Sequence, residues 1–285
     1  MRYLLSDPEL SVRTGGEELA QVVAASPPGE DVEVRLRASL PTTFPLAETR
    51  PRYTVRHLLK TAVPADPAWY VREPPAGPAP GPLDAGPELD YEATHEARLI
   101  PQLHQAKLTD MTVTVPVPRE LAKAPALLAA FVDHRVIVRL GTIENQILLH
   151  GSADGHIEGL LGLDGLRRAK SCGDLAGDVT TVASEVEETG GSCDAMVVHP
   201  QVYWRLVTAG LLDRLTSIGL RVSRTRMISP GQMLFGDFRA AVTLLDPAES
   251  TLSLRGGNGS GTRVIEASTR IGLAVHLPQH FVLLG

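Results

Sequence analysis

The chain has 285 residues, of which 43% are hydrophobic and 21% are charged, and its formal net charge is −6. This composition is typical of a globular protein with enough core for one large domain or two modest ones. The acidic balance and the lack of a long basic run disfavour a dedicated nucleic-acid reader, which usually carries a basic stripe. No apolar segment approaches the ~20 residues that span a bilayer, and no signal peptide is recognisable, so we expect a cytoplasmic protein that contacts no membrane.

The two cysteines, Cys172 and Cys193, lie far apart and outside any C-x-x-C pattern. Two idle thiols in a reducing compartment are therefore favoured over a disulfide.

The first 72 residues alternate short regular elements with irregular chain. Residues 16–25 have a modest apolar face and predict a helix, and residues 32–40 alternate as a strand does. Several prolines make the following stretch extended and irregular, like an arm that lies across other surfaces. Residues 53–62 predict a short amphipathic turn or helix, and residues 69–72 (WYVR) have the composition of a strand.

A segment dense in proline and glycine, residues 73–88, separates two strand-like stretches. By composition alone it is a flexible interdomain linker. Because residues 69–72 before it and 91–103 after it both resemble strands, it is alternatively the tip of a long β-hairpin. Beyond it, residues 105–117 alternate cleanly and predict a further strand.

The most regular pattern in the chain predicts a long helix over residues 125–150. Pro125 suits a first helical turn and Gly151 suits the position just past the end. Six apolar residues recur every three or four positions and share one face: Leu128, Val132, Val136, Leu140, Ile143 and Ile147. This stripe is widened by Leu127, Phe131 and Val138. Four charged residues are expected off it: Asp133, Arg135, Arg139 and Glu144.

The remaining chain mixes helices and strands without a regular β-α-β repeat. A glycine-punctuated loop is expected at residues 151–165, a helix within 174–188, a strand at 193–199 and a helix at 200–210. Further strands are expected at 220–229, 233–235, 240–245, 251–254, 263–275 and 281–284. This order favours an α+β fold over a doubly wound sheet.

No catalytic, cofactor or metal site stands out. Asp154, His156 and Glu158 could in principle hold a metal, but no partner motif exists and a solvated loop is favoured. The glycine-rich residues 256–261 lack the Lys-Ser/Thr of a P-loop and are interpreted as a loop tip. No G-x-S-x-G motif is present.

Two side-chain classes that often mark sites are interpreted as structural instead. The histidines in apolar contexts are expected to be satisfied structural groups: His134, His150, His199 and His276. Trp69 and Trp204 are expected to stabilise packing. We therefore predict that the protein is not an enzyme.

Several local sequences occur in a recognisable order over roughly residues 50–285. They are WYVRE before the predicted hairpin, ENQILLHG at the end of the long helix, GLLGL after it, DAMVVHPQVYWRLV, MLFGDFRAAV, and the closing TRIGLAVHLPQHFVLL. In this order they resemble the major capsid proteins of tailed phages, of the Hong Kong 97 type, and their cellular relatives, the encapsulins.

The resemblance implies the Hong Kong 97 capsid fold and a division of the chain. An N-terminal arm would cover residues 1–50, the start of the peripheral domain 51–68, the extended loop 69–103, the peripheral domain 104–169 and 255–275 with its spine helix at 125–150, and the axial domain 170–254 and 276–285. It also implies structural or assembly roles for Leu128, Val132, Val136, Leu140, Glu144 and Asn145 on the spine helix, Trp69 and Tyr70 at the extended loop, and Gly236, Asp237 and Phe238.

Two departures bear on the choice within this family. Shells of this family that crosslink their subunits covalently use a lysine in the extended loop and an asparagine on the peripheral tip. Asn258 lies near the second position, but residues 73–98 contain no lysine, so crosslinking is not expected. Only about 50 residues precede the matching segments, which is short for a phage scaffolding segment.

The resemblance therefore implies an encapsulin-like subunit that assembles with itself into a closed, icosahedral nanocompartment around a cargo enzyme. The abundance of arginine, alanine, glycine and proline hints at a high-GC bacterial genome and fits the encapsulin group beside natural-product biosynthesis genes. A phage major capsid protein that packages DNA is the alternative, and a soluble enzyme is a third. The sequence does not indicate which residues would bind cargo.

Overall fold

The computed structural model describes residues 13–42, 55–73, 102–256 and 262–285. Six α-helices lie within these ranges: α1 (Gly15–Ala25), α2 (Pro125–Phe131), α3 (Ile137–His150), α4 (Leu175–Glu187), α5 (Pro200–Thr208) and α6 (Leu211–Ser217). A π-helical segment (Val132–Val136) joins α2 to α3. No helix in the described ranges is both long and apolar enough to cross a membrane.

Thirteen strands lie within the same ranges. They are β1 (Val32–Leu36), β2 (Lys60–Ala62), β3 (Ala68–Arg72), β4 (Gln102–Ala106), β5 (Thr109–Pro118), β6 (Arg167–Ala169), β7 (Ala195–Val198), β8 (Arg221–Arg224), β9 (Met233–Gly236), β10 (Val242–Leu245), β11 (Ser250–Gly256), β12 (Thr262–Val275) and β13 (Phe281–Leu284). The mixed helix and strand content confirms the α+β class.

The chain forms two compact units. Unit 1 comprises Met1–Pro51, Asp110–Glu144 and Asp246–Ile271, and unit 2 comprises Arg52–Thr109, Asn145–Leu245 and Gly272–Gly285. The assignment of peripheral and axial domains remains a prediction. The described part of the expected N-terminal arm contains α1 and β1, which belong to unit 1.

Unit 1 is built on antiparallel pairing. Strand β11 pairs with β1 on one side and with β12 on the other, and β5 also pairs with β12. Helix α1 packs closely on α2, because Gly16 leaves no side chain at the contact: a Cβ there would overlap the Ala129 carbonyl of α2 and lie 2.7 Å from an oxygen of Asp133. The buried side chains of Leu19 and Leu128 contribute to this core.

Unit 2 contains a five-stranded sheet in the order β6-β13-β9-β7-β8. One face of this sheet packs against α4, α5 and α6 through a continuous apolar core that includes Val182, Met196, Leu206, Phe235 and Val282. Strand β10 pairs with the end of β12 and, in parallel, with β2. Strands β3 and β4 form a separate two-stranded sheet.

The predicted helix over residues 125–150 is confirmed, with Pro125 at its start and Gly151 in a left-handed conformation past its end. The face prediction was partly wrong. Asp133 and Glu144, expected off the apolar stripe, are buried, whereas Leu127 and Val138, expected to widen it, are exposed.

The reason for the error is the spacing of the buried residues. Positions 128, 132, 136, 140, 144 and 148 are all fully buried, a spacing of four that a straight helix with 3.6 residues per turn would carry off its face. The π-helical segment has more residues per turn and reduces that drift. Glu144 therefore continues the buried row instead of leaving it.

Several other boundaries differ from the expectation. Strand β1 ends at Leu36, four residues early, α4 begins at Leu175 after Asp174 caps it, and residues 56–58 form a 3-10 turn. The short strand β6 and helix α6 were not predicted. Most of the predicted hairpin tip and returning strand, and Asn258 with its neighbours in 257–261, lie outside the described residues.

Candidate assembly surfaces

The base of the predicted hairpin is present as the antiparallel pair β3–β4, which favours the hairpin over the linker interpretation. Its outward face is apolar. Trp69 (55% exposed), Val71 and Leu103 (67% exposed) lie on this face, and Val71 stands directly opposite Leu103. Together they form what we call the hairpin face. An exposed cluster of this kind is typical of a surface that another molecule covers.

The opposite face of β3–β4 turns into unit 2. Tyr70 lies between two histidine rings, His104 at 5.8 Å and His276 at 5.6 Å between ring centroids. Burial raises the pKa of the Tyr70 hydroxyl above its ordinary value. The alternation of the strand thus separates a buried polar face from the exposed apolar one.

A second set of exposed apolar residues lies on α5 and just after α6. Trp204 (58% exposed), Val207 and Ile218 (76% exposed) are its apolar members. The Arg224 guanidinium lies 4.1 Å from the ring centroid of Tyr203 and 5.3 Å from that of Trp204, a cation–π arrangement. We call these five residues the α5 patch. Tryptophan, tyrosine and arginine are the residues that dominate protein–protein contacts.

Trp69 and Trp204 were expected to stabilise packing, and that role stays a prediction. Within this chain both side chains are more than half exposed. The sequence held a weak signal for this: each tryptophan has an apolar neighbour two or three positions along its own element, on the same side. Exposure itself depends on what covers that side, which local pattern cannot show.

The spine-helix residues named from the resemblance lie inside the subunit. Leu128, Val132, Val136 and Leu140 are fully buried, in the row described above. Asn145 is buried in unit 2, where its Oδ1 accepts a hydrogen bond from the Val55 amide at 2.8 Å. An assembly role for these residues would act through the shape of the subunit, and it remains a prediction.

Asp237 organises the turn that follows β9. Its Oδ1 accepts from the Ala240 amide at 2.9 Å and its Oδ2 accepts from the Ser192 amide at 3.1 Å. Gly236 is required by space, because a Cβ there would overlap the ring of Phe281. The glycine and aspartate of this motif thus serve the folding of unit 2.

Phe238 completes the same motif and is fully buried, with its ring perpendicular to that of Phe281 at 5.1 Å. Its amide donates to Asp194 at 2.7 Å, and Asp194 also forms an ion pair of 2.6 Å with Arg221. Burial raises the pKa of Asp194, which the amide and the arginine oppose. Arg221 in turn donates to backbone carbonyls at residues 57–58. Sequence reasoning missed this ion pair, since no local motif joins its members.

The residues weighed as a metal site have structural contacts. Asp154 accepts hydrogen bonds from Ser152, Thr109 and the His156 amide, and these bonds lower its pKa below the ordinary range. Within the described ranges, no group of three or more histidine, cysteine, aspartate or glutamate side chains is arranged to hold a metal ion. Glu158 forms an ion pair with Arg72.

A cavity of about 260 Å³ lies in unit 2 at the start of α4, lined in part by Ser171, Asp178 and Arg205. Burial acts to raise the pKa of Asp178, but hydrogen bonds from the Ser171 hydroxyl and the Cys172 amide outweigh it and the pKa is lowered. Asp178 is thus an acceptor for the preceding loop. Cys172 and Cys193 are both free, as predicted.

Three of the histidines have structural contacts, as expected. His150 contacts the Met227 carbonyl through Nε2 at 2.6 Å, His199 caps α5 by accepting from the Gln201 amide, and His276 contacts the backbone of β3. Nδ1 of His134 is buried without a hydrogen-bond partner in the described structure.

Solved structures of similar fold include a virus-like particle, a phage structure and a GTA capsid. The virus-like particle from Pyrococcus furiosus is 13% identical with a TM-score of 0.57, over 86% of this chain and 98% of that one. The Microbacterium phage Oxtober96 structure is also 13% identical at 0.57, over 82% and 92%. The capsid of an empty GTA particle is 14% identical at 0.53, over 82% and 90%.

The likeness lies in structure. No protein-family model matches the sequence, and no curated protein matches it. Because the shared fold extends over most of each chain, the expectation from the sequence is confirmed: this chain has the Hong Kong 97-type fold of tailed-phage capsid and virus-like-particle proteins.

Proposed function

We propose that this chain is the shell-forming subunit of a closed, icosahedral nanocompartment that encloses a cargo enzyme in the cytoplasm. The observation that carries the proposal is the fold shared with a virus-like-particle protein over 98% of that protein's length. In such a subunit, residues 69–103 form the extended loop, residues 104–169 and 255–275 the peripheral domain, and residues 170–254 and 276–285 the axial domain.

The hairpin face supports a contact between copies. Trp69, Val71 and Leu103 present apolar side chains on one side of a two-stranded sheet whose other side is occupied. A second copy of the chain is the partner that a homo-oligomeric shell supplies at every subunit. The contact repeats around the shell, so a modest free energy at each copy sums over the whole particle.

A closed shell needs more than one kind of contact. A single head-to-tail contact generates a ring or an open filament, and a second contact in another direction is required to close a surface. The α5 patch supports this role, because Trp204 and Ile218 are exposed and Arg224 stacks on the aromatic rings.

The cargo compartment is favoured over the phage capsid by charge. The chain carries 27 basic and 33 acidic residues, a balance that does not favour enclosing a polyanion. The phage alternative has its own support in the Oxtober96 structure, whose TM-score equals that of the virus-like particle. If the chain forms a cargo compartment, we propose that its gene lies beside natural-product biosynthesis genes.

Electron microscopy of the purified full chain tests the shell directly, and hollow particles of uniform size are expected. Discrete monomers or dimers would refute both the compartment and the capsid. Mass spectrometry of the particle contents separates them: a co-purified protein supports the compartment, and packaged DNA supports the phage capsid.

The proposed contact between copies at the hairpin face is tested by Trp69→Glu, which introduces a charge into that face. We expect a folded subunit that no longer assembles. Val63→Glu is the matched control, because Val63 is also an exposed apolar residue of unit 2 (74% exposed) and lies outside both patches. Normal particles from Trp69→Glu would exclude the hairpin face as a contact.

A further inference from the structure

The two-stranded sheet β3–β4 has no strand-to-strand hydrogen bonds to the other sheets in the described part of the chain. An isolated two-stranded sheet is marginally stable in water. The direction in which this hairpin leaves unit 2 must therefore be set by side chains and loops at its base.

Arg72, at the end of β3, makes two of these contacts. Its Nη1 lies 3.2 Å from Oε2 of Glu158, and its Nη2 donates to the Asp164 carbonyl at 3.0 Å. The other carboxylate oxygen of Glu158 accepts from the Asp164 amide at 2.5 Å. The three residues thus form a closed ring of contacts, which we call the Arg72 network. The Arg72 side chain is only 13% exposed, whereas the Glu158 side chain is 37% exposed, so water reaches the network from the Glu158 side.

The loop that carries Glu158 is itself tied to α3. The amides of Leu160 and Leu161 donate to the carbonyls of Leu148 and Leu149 at 2.8 and 2.9 Å. These carbonyls belong to the last turn of the helix, whose groups have no partner within it. The Arg72 network therefore connects the hairpin base to the C-terminal end of α3.

A second attachment lies at the end of β12. His276 contacts the Val71 carbonyl through Nδ1 at 3.0 Å, and its own carbonyl accepts from the Glu73 amide at 2.8 Å. Gln279 also donates to the Glu73 carboxylate at 3.2 Å. This attachment alone would hold β3 at one place and leave it free to pivot there.

We propose that the Arg72 network is the second point of attachment that fixes the direction of the hairpin, and that this direction sets the angle between neighbouring copies and hence the diameter of the shell. Whether successive head-to-tail contacts close, and at what size, depends on the rotation between them. The inference rests on the proposed function and adds which residues determine the geometry of assembly. Arg72 and Glu158 are positioning residues in this role.

The test uses the full-length chain. Arg72→Gln removes the cation and keeps a polar side chain, while the His276 attachment and the hairpin face remain. We expect assembly to continue, with particles shifted from one diameter to a mixture of diameters and incomplete shells. In the same protein, hydrogen exchange at the Glu73 amide is expected to rise about tenfold, as local opening at the hairpin base becomes easier.

Arg35→Gln is the matched control. Arg35 forms a 3.1 Å ion pair with Glu33 on β1, of the same chemistry but highly exposed. Its loss should change neither particle diameter nor exchange at the hairpin base. The exchanged pair Arg72→Glu with Glu158→Arg restores opposite charges and is expected to recover most of the single-diameter particles, which a nonspecific loss of folding would not do.

The outcomes are distinguishable. Absence of particles from the wild-type chain refutes the proposed function. Uniform wild-type particles together with unchanged diameter and unchanged Glu73 exchange in Arg72→Gln overturn the inference alone. If Arg72→Gln does not fold, Glu158→Gln decides, because it removes the negative charge from the same network and keeps an acceptor for the Asp164 amide.

Discussion

The attachment of α1 to the π-helical segment depends on one buried carboxylate. Asp133 accepts a hydrogen bond from the Thr14 hydroxyl at 2.6 Å and from the Gly16 amide at 2.9 Å. Gly16 is in the first turn of α1, where amides have no partner within the helix and where negative charge is stabilising. Thr14 also forms a capping box with Glu17. Asp133 therefore completes the cap of a helix more than 100 residues earlier in the chain.

The expected cost of Asp133→Ala follows from these two bonds. A hydrogen bond to a charged group contributes about 1.5–3 kcal/mol, and the loss leaves the buried Gly16 amide without its acceptor, so we expect a destabilisation of about 3 kcal/mol. At about 2–4 °C per kcal/mol, the melting temperature should fall by roughly 6–12 °C. Asp133→Asn keeps an acceptor for Gly16 and should lose about 1 kcal/mol.

Calorimetry of the full-length variants measures the shift, and hydrogen exchange locates it at the first turn of α1. Asp110→Ala is the control, since Asp110 is an exposed carboxylate of unit 1 and its loss should stay within about 0.5 kcal/mol. An Asp133→Ala protein that melts within about 1 °C of the wild type, with the α1 amides still protected, would refute the role assigned to this carboxylate.

Three further results are expected. Val136→Pro should break the long helix at a cost of about 3 kcal/mol or more and abolish assembly, seen as loss of particles by electron microscopy; normal particles would show that the helix is wrongly placed. Burial lowers the pKa of His280 below its ordinary 6.5. As the pH drops below about 6.5 the unfolded chain therefore takes up the proton first, and the free energy of unfolding should fall. His280→Gln should flatten that pH dependence in denaturant titrations, and an unchanged slope would contradict the assignment. Burial raises the pKa of Cys193 to about 12, so iodoacetamide at pH 8 should label exposed Cys172 quickly and Cys193 only on unfolding, and equal labelling rates would exclude this assignment.

Local pattern was sufficient for most of the secondary structure. The helix from Pro125 to the residue before Gly151 and the alternating strand β5 follow from periodicity and from the conformations that proline and glycine allow. Strand β6 and helix α6 were missed because three or seven residues are too few to show a period.

The assembly surfaces were less predictable. Trp69 was named as an assembly residue only by resemblance, and its exposure was not expected; Arg72, Glu158 and Arg224 were not singled out as partners at all. Each of these contacts joins residues that are distant in sequence or depends on which side of an element is covered. No local spacing encodes either property.

The amino-acid sequence by itself indicated most of the helices and strands, and the order of its segments was enough to indicate a capsid-type fold. Those features arise from interactions between residues a few positions apart, which steric limits and hydrophobic periodicity control. Only the tertiary structure decided that Asp133 and Glu144 are buried, that the two tryptophans are exposed, and that Arg72 ties the hairpin to the loop after α3. The free energy of a polar or apolar side chain depends on the water and the partners around it, and these are defined only after distant segments have packed together.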